Sequence, residues 1–439
     1  MRLMASQVAA ATGGLLIGPD VEIVGVGFDS RERLDGAMFV AVVGERDGHD
    51  FVDTAVEGGA RAALVSKTDR AYGTTVIAVD NTVDAFGALA ADMHRAHFAH
   101  AHTVGVTGSV GKTTTKNFIA GCLPSKRVWA NRSSFNNDQG LPYTVLNAPA
   151  GTEVLVLEMG MRGFGEIQRL CDIAPPTISV VTRIGEAHTE RLGGIEGVAR
   201  AKSEIVDALR SDGVAVLQAN DRFTKSMAAM CRGSVVTFGD DGDVFAREIR
   251  VDDCGRASFV ACSPWGESSV TLSIPGTHNV SNALAALAVA GSVGESIADA
   301  AGALGAVAAG DHRMVLHEFP RRALLIDDCY NANPTSMAAA FDTALSMNRR
   351  RTIAVCGLMA EVDDEVKAHH SVAQLATSSG IELWPADTSL YGLPPMEDLA
   401  ARVCEVLIGG DVSVVVKGSR VAGLETLVER VIGSLSEAG

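Results

Sequence analysis

HTVGVTGSVGKTTTKNFIAG, residues 102–121, is the stretch that decides the fold. Its first six residues are rich in β-branched side chains and read as a strand. Thr107-Gly-Ser-Val-Gly-Lys-Thr-Thr-Thr115 then turns the chain on two glycines and opens a helix. In that setting free backbone amides and the helix dipole cradle phosphate groups. Lys112 can reach β- and γ-phosphate oxygens, and the Thr113 hydroxyl is placed for magnesium. Thr107, Gly108, Ser109, Gly111, Lys112, Thr113 and Thr114 are therefore the expected nucleotide-binding residues. The glycines stand closer together than in the strict P-loop pattern, and a chance Gly-rich turn is the bland alternative. The strand before and the helix after favour phosphate binding.

The same rhythm continues outward. EVLVLEMG, TISVVTRIG and VAVLQAN alternate with helical patterns, a β-rich stretch covers about 244–274, and a helix begins at Asn279. Strands alternating with helices predict a parallel, doubly wound α/β sheet for residues 101–311. Residues 1–100 read as a small α/β unit with strands in VEIVGVGF, MFVAVVG, RAALVS and TVIAVD. Residues 312–439 read as a third, Rossmann-like α/β sheet with strands in ALLIDDCY, TIAVCG and VSVVVKGS. HRAHFAHAH, at 94–102, holds four histidines but has no carboxylate or Cys partners nearby. It reads as a helix end and polar linker rather than a metal site.

The chain has 439 residues, enough for two to four domains. A net charge of −16 argues against nucleic acid or an anionic membrane surface as a general partner. Anionic small molecules stay open, because local cations and helix N-termini suffice for them. Eight Cys without a CxxC pair read as buried, reduced thiols of a cytoplasmic protein. The longest apolar runs, such as Ala283–Ala290, fall far short of the ~20 residues that span a bilayer.

Glu158 ends the strand VLVLE, and His188 follows TISVVTRIG. Ligands of open parallel sheets bind at the carboxyl ends of strands, so both side chains are expected in the nucleotide crevice, able to ligate a metal. On its own, either one also fits a plain loop position. Lys202, in EGVARAKSEIV, reads on composition alone as a solvated helix lysine.

Taken together, TGSVGKTTT, SSFNNDQGLP, LEMGMRGFGEI, VTRIGEAHTERLGGIEGVARAKSEI, IPGTHNVSNALAALAVA, IDDCYNANPTSM and VVVKGSR run in the order of the Mur ligase family, and the chain resembles that family from end to end. DSRERLDGAMFVAVVGERDGHDFVDTAVEGGARAALV resembles a nucleotide-sugar-binding N-terminal domain. The resemblance implies an ATP-dependent, ADP-forming ligase of peptidoglycan synthesis. In it, D-alanyl-D-alanine is joined to a UDP-muramoyl-tripeptide through an acyl phosphate. ATP and magnesium are the implied cofactors, and a monomer acting only on small molecules the implied unit.

Residue roles follow from the same resemblance. Lys112 and Thr113 would bind ATP phosphates and magnesium. Glu158 and His188 would hold magnesium. Lys202 would be carbamylated, which replaces the solvated reading. Asn279 and Asn282 would face adenine, Arg313 would reach the γ-phosphate, and Asp328 would lie near the ribose. Asn136 and Asn137 would line the nucleotide and acceptor, and Asp29, Ser30 and Arg31 would meet the UDP-sugar. Asn331, Asn333 and Lys417, with Ser419 and Arg420, would surround the cleft for the incoming dipeptide. Lys112, Lys202, His188 and Arg313 are thus the expected catalytic set.

One segment departs from the pattern. Gly357-Leu358-Met359 stands where other members carry Gly-Asp-Met, and GIELWPADTSLYGLPPMED looks shortened, as if a strand and part of a helix were trimmed. Asp327 or Glu361 could supply the missing acid. Two other readings compete: an amide ligase acting on a folate-like or specialised acid, and a P-loop binding protein without ligase activity.

Overall fold

Strand His102–Thr107 sits inside a six-stranded sheet whose order is Ser234–Phe238, Val214–Gln218, Ile178–Val181, His102–Thr107, Val154–Glu158, Val128–Ala130. Every neighbouring pair is parallel. The chain order reverses at His102–Thr107: its neighbours are Val154–Glu158 on one side and Ile178–Val181 on the other. That is the topological switch point of a doubly wound sheet, where a ligand crevice opens past the strand ends. The Gly-rich turn leaves the sheet at this point. The computed structural model describes residues 2–132, 135–185 and 189–437.

Helices cover both faces, which is why Val154–Glu158 and Ile178–Val181 are buried along their whole length. Helix Lys112–Gly121 packs against helix His278–Ser292. The latter is buried without a break from Ala283 to Gly291. The apolar run of the sequence is therefore the spine of a core, its alanines letting two helices and a sheet approach closely. Phe118 and Ile119, fully buried, fill the space between them. Burial of each contributes about 1.5–3 kcal/mol.

The β-rich stretch forms a three-stranded antiparallel sheet, Phe245–Val251, Arg256–Ser263 and Gly266–Pro275. The following helix begins at His278, one residue before the expected Asn279. The C-terminal sheet has five strands in the order Val315–Phe319, Ala323–Asp327, Val412–Lys417, Arg351–Cys356, Glu382–Pro385. Its edge hairpin is antiparallel and the rest parallel. The segment that looked trimmed keeps its strand, Glu382–Pro385. The N-terminal sheet orders Leu15–Ile17, Thr75–Ala78, Ala62–Val65, Met38–Val40 and Val26–Gly27, with Arg2–Met4 pairing separately with Glu22–Val24.

Helix Thr82–His97 ends inside the His-rich segment. There His94 Nε2 lies 2.8 Å from Thr103 Oγ1, buried, with its pKa pushed down to about 4 by burial. The segment is a helix end, as expected. The eight cysteines are free, but Cys231, Cys254 and Cys404 are only partly buried.

At the carboxyl end of the C-terminal sheet, Lys417 Nζ donates to Asp328 Oδ2 at 2.6 Å, and Lys417 is only 3% exposed. Removing one member of such a pair strands the other charge. Lys417→Met is expected to lower stability by about 3–5 kcal/mol, read as a shifted denaturant midpoint, with partial recovery in Lys417→Met/Asp328→Asn. An unchanged midpoint would show that the pair contributes nothing.

Candidate active site

The Gly-rich turn is set by two glycines that no other residue could replace. Gly108 has φ 152° and Gly111 φ 85°. A Cβ on Gly108 would come 1.9 Å from Thr182 Oγ1, and one on Gly111 would come 2.6 Å from Asn282 Oδ1. Residues 182–185, just past the neighbouring strand Ile178–Val181, fasten the turn. Ser109 N–H donates to the Arg183 carbonyl at 2.7 Å. Ser109 Oγ donates to the Gly185 carbonyl at 2.9 Å, and Thr182 Oγ1 to the Val110 carbonyl at 2.6 Å. Lys112 Nζ folds over the turn onto the Gly108 carbonyl at 2.8 Å. Burial, with Arg313 adding to it, pulls the Lys112 ammonium below the ordinary lysine range, while Glu158 opposes the shift.

Beside the turn, Glu158 is 1% exposed at the end of its strand. Thr113 Oγ1 donates to its Oε2 at 2.8 Å, and Asn136 Nδ2 to its Oε1 at 2.8 Å. Glu158 N–H donates to Asn131 Oδ1 at 2.8 Å, and Asn131 Nδ2 donates to the Phe135 carbonyl at 2.7 Å. Lys116 Nζ donates to the Asn131 carbonyl at 2.6 Å. Asn131 and Lys116 are 2% exposed each and were absent from the expected set. The available signal was that Asn131 directly follows a strand of the same sheet.

Lys202, on helix Ile195–Asp207, is also 2% exposed. Among the described residues it makes no hydrogen bond or ion pair. Burial, and then the charge of Lys112, hold its ammonium far below the ordinary lysine range, with Glu158 opposing. The solvated reading therefore fails on burial. His188 lies outside the described residues.

These groups line one cleft of about 900 Å³ between the central and C-terminal sheets. Thr113, Thr114, Asn136, Asn137, Glu158 and Lys202 come from one side, and Arg313, Asp328, Asn331, Asn333 and Lys417 from the other. The connector to the C-terminal sheet is docked on the loop after Ala323–Asp327. Tyr330 N–H donates to the His312 carbonyl at 3.1 Å, Met314 N–H to Asp328 Oδ1 at 3.2 Å, and the Arg313 guanidinium lies 3.9 Å from the Tyr330 ring centroid. Asn279 and Asn282 line the cleft as well. Their amides are committed to the fold: Asn279 Nδ2 donates to the Pro275 carbonyl and Asn282 Nδ2 to Asn279 Oδ1. Asn333 caps helix Pro334–Ser346, and Asn137 Oδ1 accepts from Gly140 N–H at 2.9 Å at the start of helix Gly140–Leu146.

Asp29, Ser30 and Arg31 are not brought to this cleft. Arg31 Nη2 and Asp29 Oδ2 pair with each other at 2.6 Å on the N-terminal unit. Of the two acids considered as substitutes near Leu358, Glu361 lines the cleft and accepts from Asn331 Nδ2 at 3.1 Å. Asp327 does not line it; it is turned to His312 and Cys329. The Leu358 loop keeps its path through side-chain acceptors. Leu358 N–H donates to Asp387 Oδ1 at 2.9 Å, Met359 N–H to His369 Nε2 at 3.0 Å, and Ala360 N–H to Ser419 Oγ at 2.9 Å.

The site's donors fit magnesium and phosphates: a hydroxyl and a buried carboxylate offer hard oxygen ligands beside a cradle that a single Cβ would fill. Comparison with known proteins agrees with that geometry. Residues 106–290 match the Mur ligase middle domain, and residues 312–403 the Mur ligase, glutamate ligase domain. A UDP-N-acetylmuramoyl-tripeptide--D-alanyl-D-alanine ligase of Mycobacterium tuberculosis is 36% identical over 416 residues, covering 86% of this chain and 81% of the relative. One from Escherichia coli is 35% identical, covering 86% and 84%. The fold superposes on a crystal structure of MurF from Acinetobacter baumannii with a TM-score of 0.86 at 31% identity, covering 99% of both chains. It superposes on a MurF ligase from Thermotoga maritima in complex with ADP with a TM-score of 0.80 at 25% identity, covering 94% of this chain and 98% of that one. Similarity of this extent, covering 86% of this chain in sequence and 99% in fold, means that the chain belongs to the Mur ligase family.

Proposed function

We propose that this chain is the ATP-dependent, ADP-forming ligase that joins D-alanyl-D-alanine to a UDP-N-acetylmuramoyl-tripeptide in peptidoglycan synthesis. The observation that carries the reading is Lys202, a buried lysine that makes no hydrogen bond or ion pair among the described residues and lines the same cleft wall as Glu158, Thr113 and the Gly-rich turn. A phosphate-binding switch has no use for such a group, whereas a ligase that handles two anionic substrates does.

The reaction has two steps. The tripeptide carboxylate attacks the γ-phosphate and ADP leaves; the deprotonated amine of the dipeptide then attacks the acyl carbon, the amide forms, and inorganic phosphate leaves. Backbone amides of residues 108–113 hold the phosphates, and Lys112 follows the β/γ oxygens. Arg313, held over Tyr330, reaches in from the opposite wall, and both cations offset charge on the transferring group. Thr113, Glu158, His188 and the carbamate of Lys202 would hold magnesium, which when bound neutralises phosphate oxygens. Carbamylation needs a neutral amine, and burial supplies it. Asn279 and Asn282 form the adenine wall and Asp328 the ribose side, while Asn136 and Asn137 border the acceptor. Asn331, Asn333 and Lys417 shape the dipeptide side, and Glu361 is the cleft carboxylate nearest the Leu358 loop for the incoming ammonium. Closure of the units over the reactants would exclude water that would hydrolyse the acyl phosphate.

The same reading keeps the division 1–100, 101–311 and 312–439. It assigns the first part, through Asp29, Ser30 and Arg31, to the UDP-sugar, which closure of that part would bring to the cleft. The free thiols suit the cytoplasm, where nucleotide-linked precursors are made.

Three outcomes are expected. Lys112→Ala should lower turnover by about 10²-fold or more, because the lost cation acts on charge that grows in the transition state; near-normal ATP-dependent turnover would remove Lys112 from the mechanism. Lys202→Ala should be nearly inactive and partly rescued by acetate, and ¹³C-bicarbonate should give a carbamate signal in the unaltered chain alone; full activity without added acid would return Lys202 to an ordinary buried lysine. With a UDP-muramoyl-tripeptide acceptor, D-alanyl-D-alanine should outcompete single amino acids and L-dipeptides in product mass spectra. Preference for any other amine would move the chain to another branch of the family.

A further inference from the structure

A second cluster of donor atoms stands outside the nucleotide cleft. His312, Asp327 and Cys329 each bring a ligand atom within 4.8 Å of the other two. His312 Nδ1 lies 2.8 Å from Asp327 Oδ2, and Cys329 Sγ lies 3.0 Å from Asp327 Oδ1. Asp327 and Cys329 are buried, and His312 is partly exposed. None of the three lines the cleft, although their neighbours Arg313 and Asp328 do. A small cavity of about 250 Å³, lined by Asp311, His312, Tyr330 and Arg420, opens beside His312.

The backbone holds this arrangement on purpose-built terms. His312 sits at φ 54° and Met314 at φ 56°, conformations that cost a non-glycine residue about 1–3 kcal/mol each. The docking of the connector on the 327–330 loop described above maintains them.

We propose that His312, Asp327 and Cys329 form a site for a borderline-soft divalent cation of the zinc and cobalt class, with its fourth coordination position open to the small cavity. Imidazole, carboxylate and thiolate are the donor set such cations take, whereas magnesium demands oxygen ligands. A neutral imidazole, a carboxylate and a thiolate bring two negative charges, which cancel a divalent cation and suit a buried position. With metal–ligand bonds of about 2.0–2.3 Å, tetrahedral ligand atoms lie roughly 3.3–3.8 Å apart, so the 2.8 and 3.0 Å contacts have to open by less than about 1 Å and the widest separation, within 4.8 Å, has to close by no more than about 1.5 Å. Burial and the Asp327 carboxylate push the Cys329 thiol up, so without metal it stays protonated and donates to Asp327. On binding, the S–H bond breaks, the sulfur lone pair goes to the cation, and the proton leaves to solvent. The bound ion would join the connector to the C-terminal sheet one residue from Arg313 and from Asp328.

The test uses the full chain, stripped with chelator and titrated with cobalt(II). One equivalent should bind and give an intense thiolate-to-cobalt band in the near ultraviolet, which zinc abolishes and a large excess of magnesium leaves in place. Cys329→Ser should lose the band, and His312→Ala should bind cobalt at least about ten-fold more weakly. His312 is partly exposed, so that variant decides the matter if Cys329→Ser does not fold by circular dichroism. Absence of the band in the unaltered chain, its displacement by magnesium, or its survival undiminished in His312→Ala would overturn the proposal.

Discussion

A carboxylate buried at the end of a parallel strand must be met by donors, or it costs more than the fold can supply. Glu158 is that carboxylate, and much of the site is organised by meeting its demand. Thr113 and Asn136 take its two oxygens, while Asn131 takes its backbone N–H. These partners come from the helix after the Gly-rich turn and from the loop after strand Val128–Ala130, so satisfying one carboxylate fixes three chain segments at the switch point. Lys116 then anchors Asn131 in turn. A half-satisfied network of this kind would be worse than an apolar core, which is why its members are nearly all inaccessible.

The Gly-rich turn and Glu158 were legible in the sequence because their signals are local. A β-branched strand, two glycines and a Lys-Thr at a helix start imply a phosphate turn wherever they occur together, and Glu158 was placed by its position at a strand end. What was not legible is long-range. Asn131 and Lys116 look like ordinary polar residues until the sheet order brings strand Val128–Ala130 beside Val154–Glu158. That strand, like Leu15–Ile17 and Ser234–Phe238, escaped pattern reading because edge strands are short and carry little alternation. Lys202 misled composition in the opposite direction: Arg200, Ser203 and Glu204 beside it are polar, and the fold places it on the buried face with Val198, Ala201, Ile205 and Val206. Asp29, Ser30 and Arg31 were recognised by motif, but a motif carries no information about how far one unit stands from the next.

Across the cleft the constraint is different, because the two walls belong to separate sheets. The connector at 310–314 is short, so its geometry decides where Arg313 points. Hydrogen bonds from Tyr330 and Met314, and the stacking of Arg313 on Tyr330, tie that arginine to the same loop that carries Asp328 and Asn331. Lys417 reinforces the loop from beneath, donating to Asp328 Oδ2 and to the Asn331 carbonyl. Arg313, Asp328 and Asn331 are therefore held together on one wall of the cleft by the C-terminal unit.

This bears on the departure at Leu358. Losing an acidic side chain would matter most if it also let the loop relax. The loop does not depend on that side chain: Asp387, His369 and Ser419 hold three successive N–H groups at 358–360, and Tyr391 Oη donates to the Gly357 carbonyl at 2.7 Å. The Asp387 carboxyl is raised by burial yet accepts from Leu358 N–H, so an acid stands beside the turn, just past the end of the neighbouring strand. Strand Glu382–Pro385, which places Asp387, pairs in register with Arg351–Cys356, which places Leu358. The Leu358 loop is thus held from the neighbouring strand, and Glu361 is a carboxylate close by that lines the cleft. Recognition of a small apolar dipeptide asks little of side chains, since one methyl in a pocket discriminates by only about 1–3 kcal/mol. Backbone shape and a terminal carboxylate are what such a site has to read, and those depend on the loop's path rather than on the residue at 358.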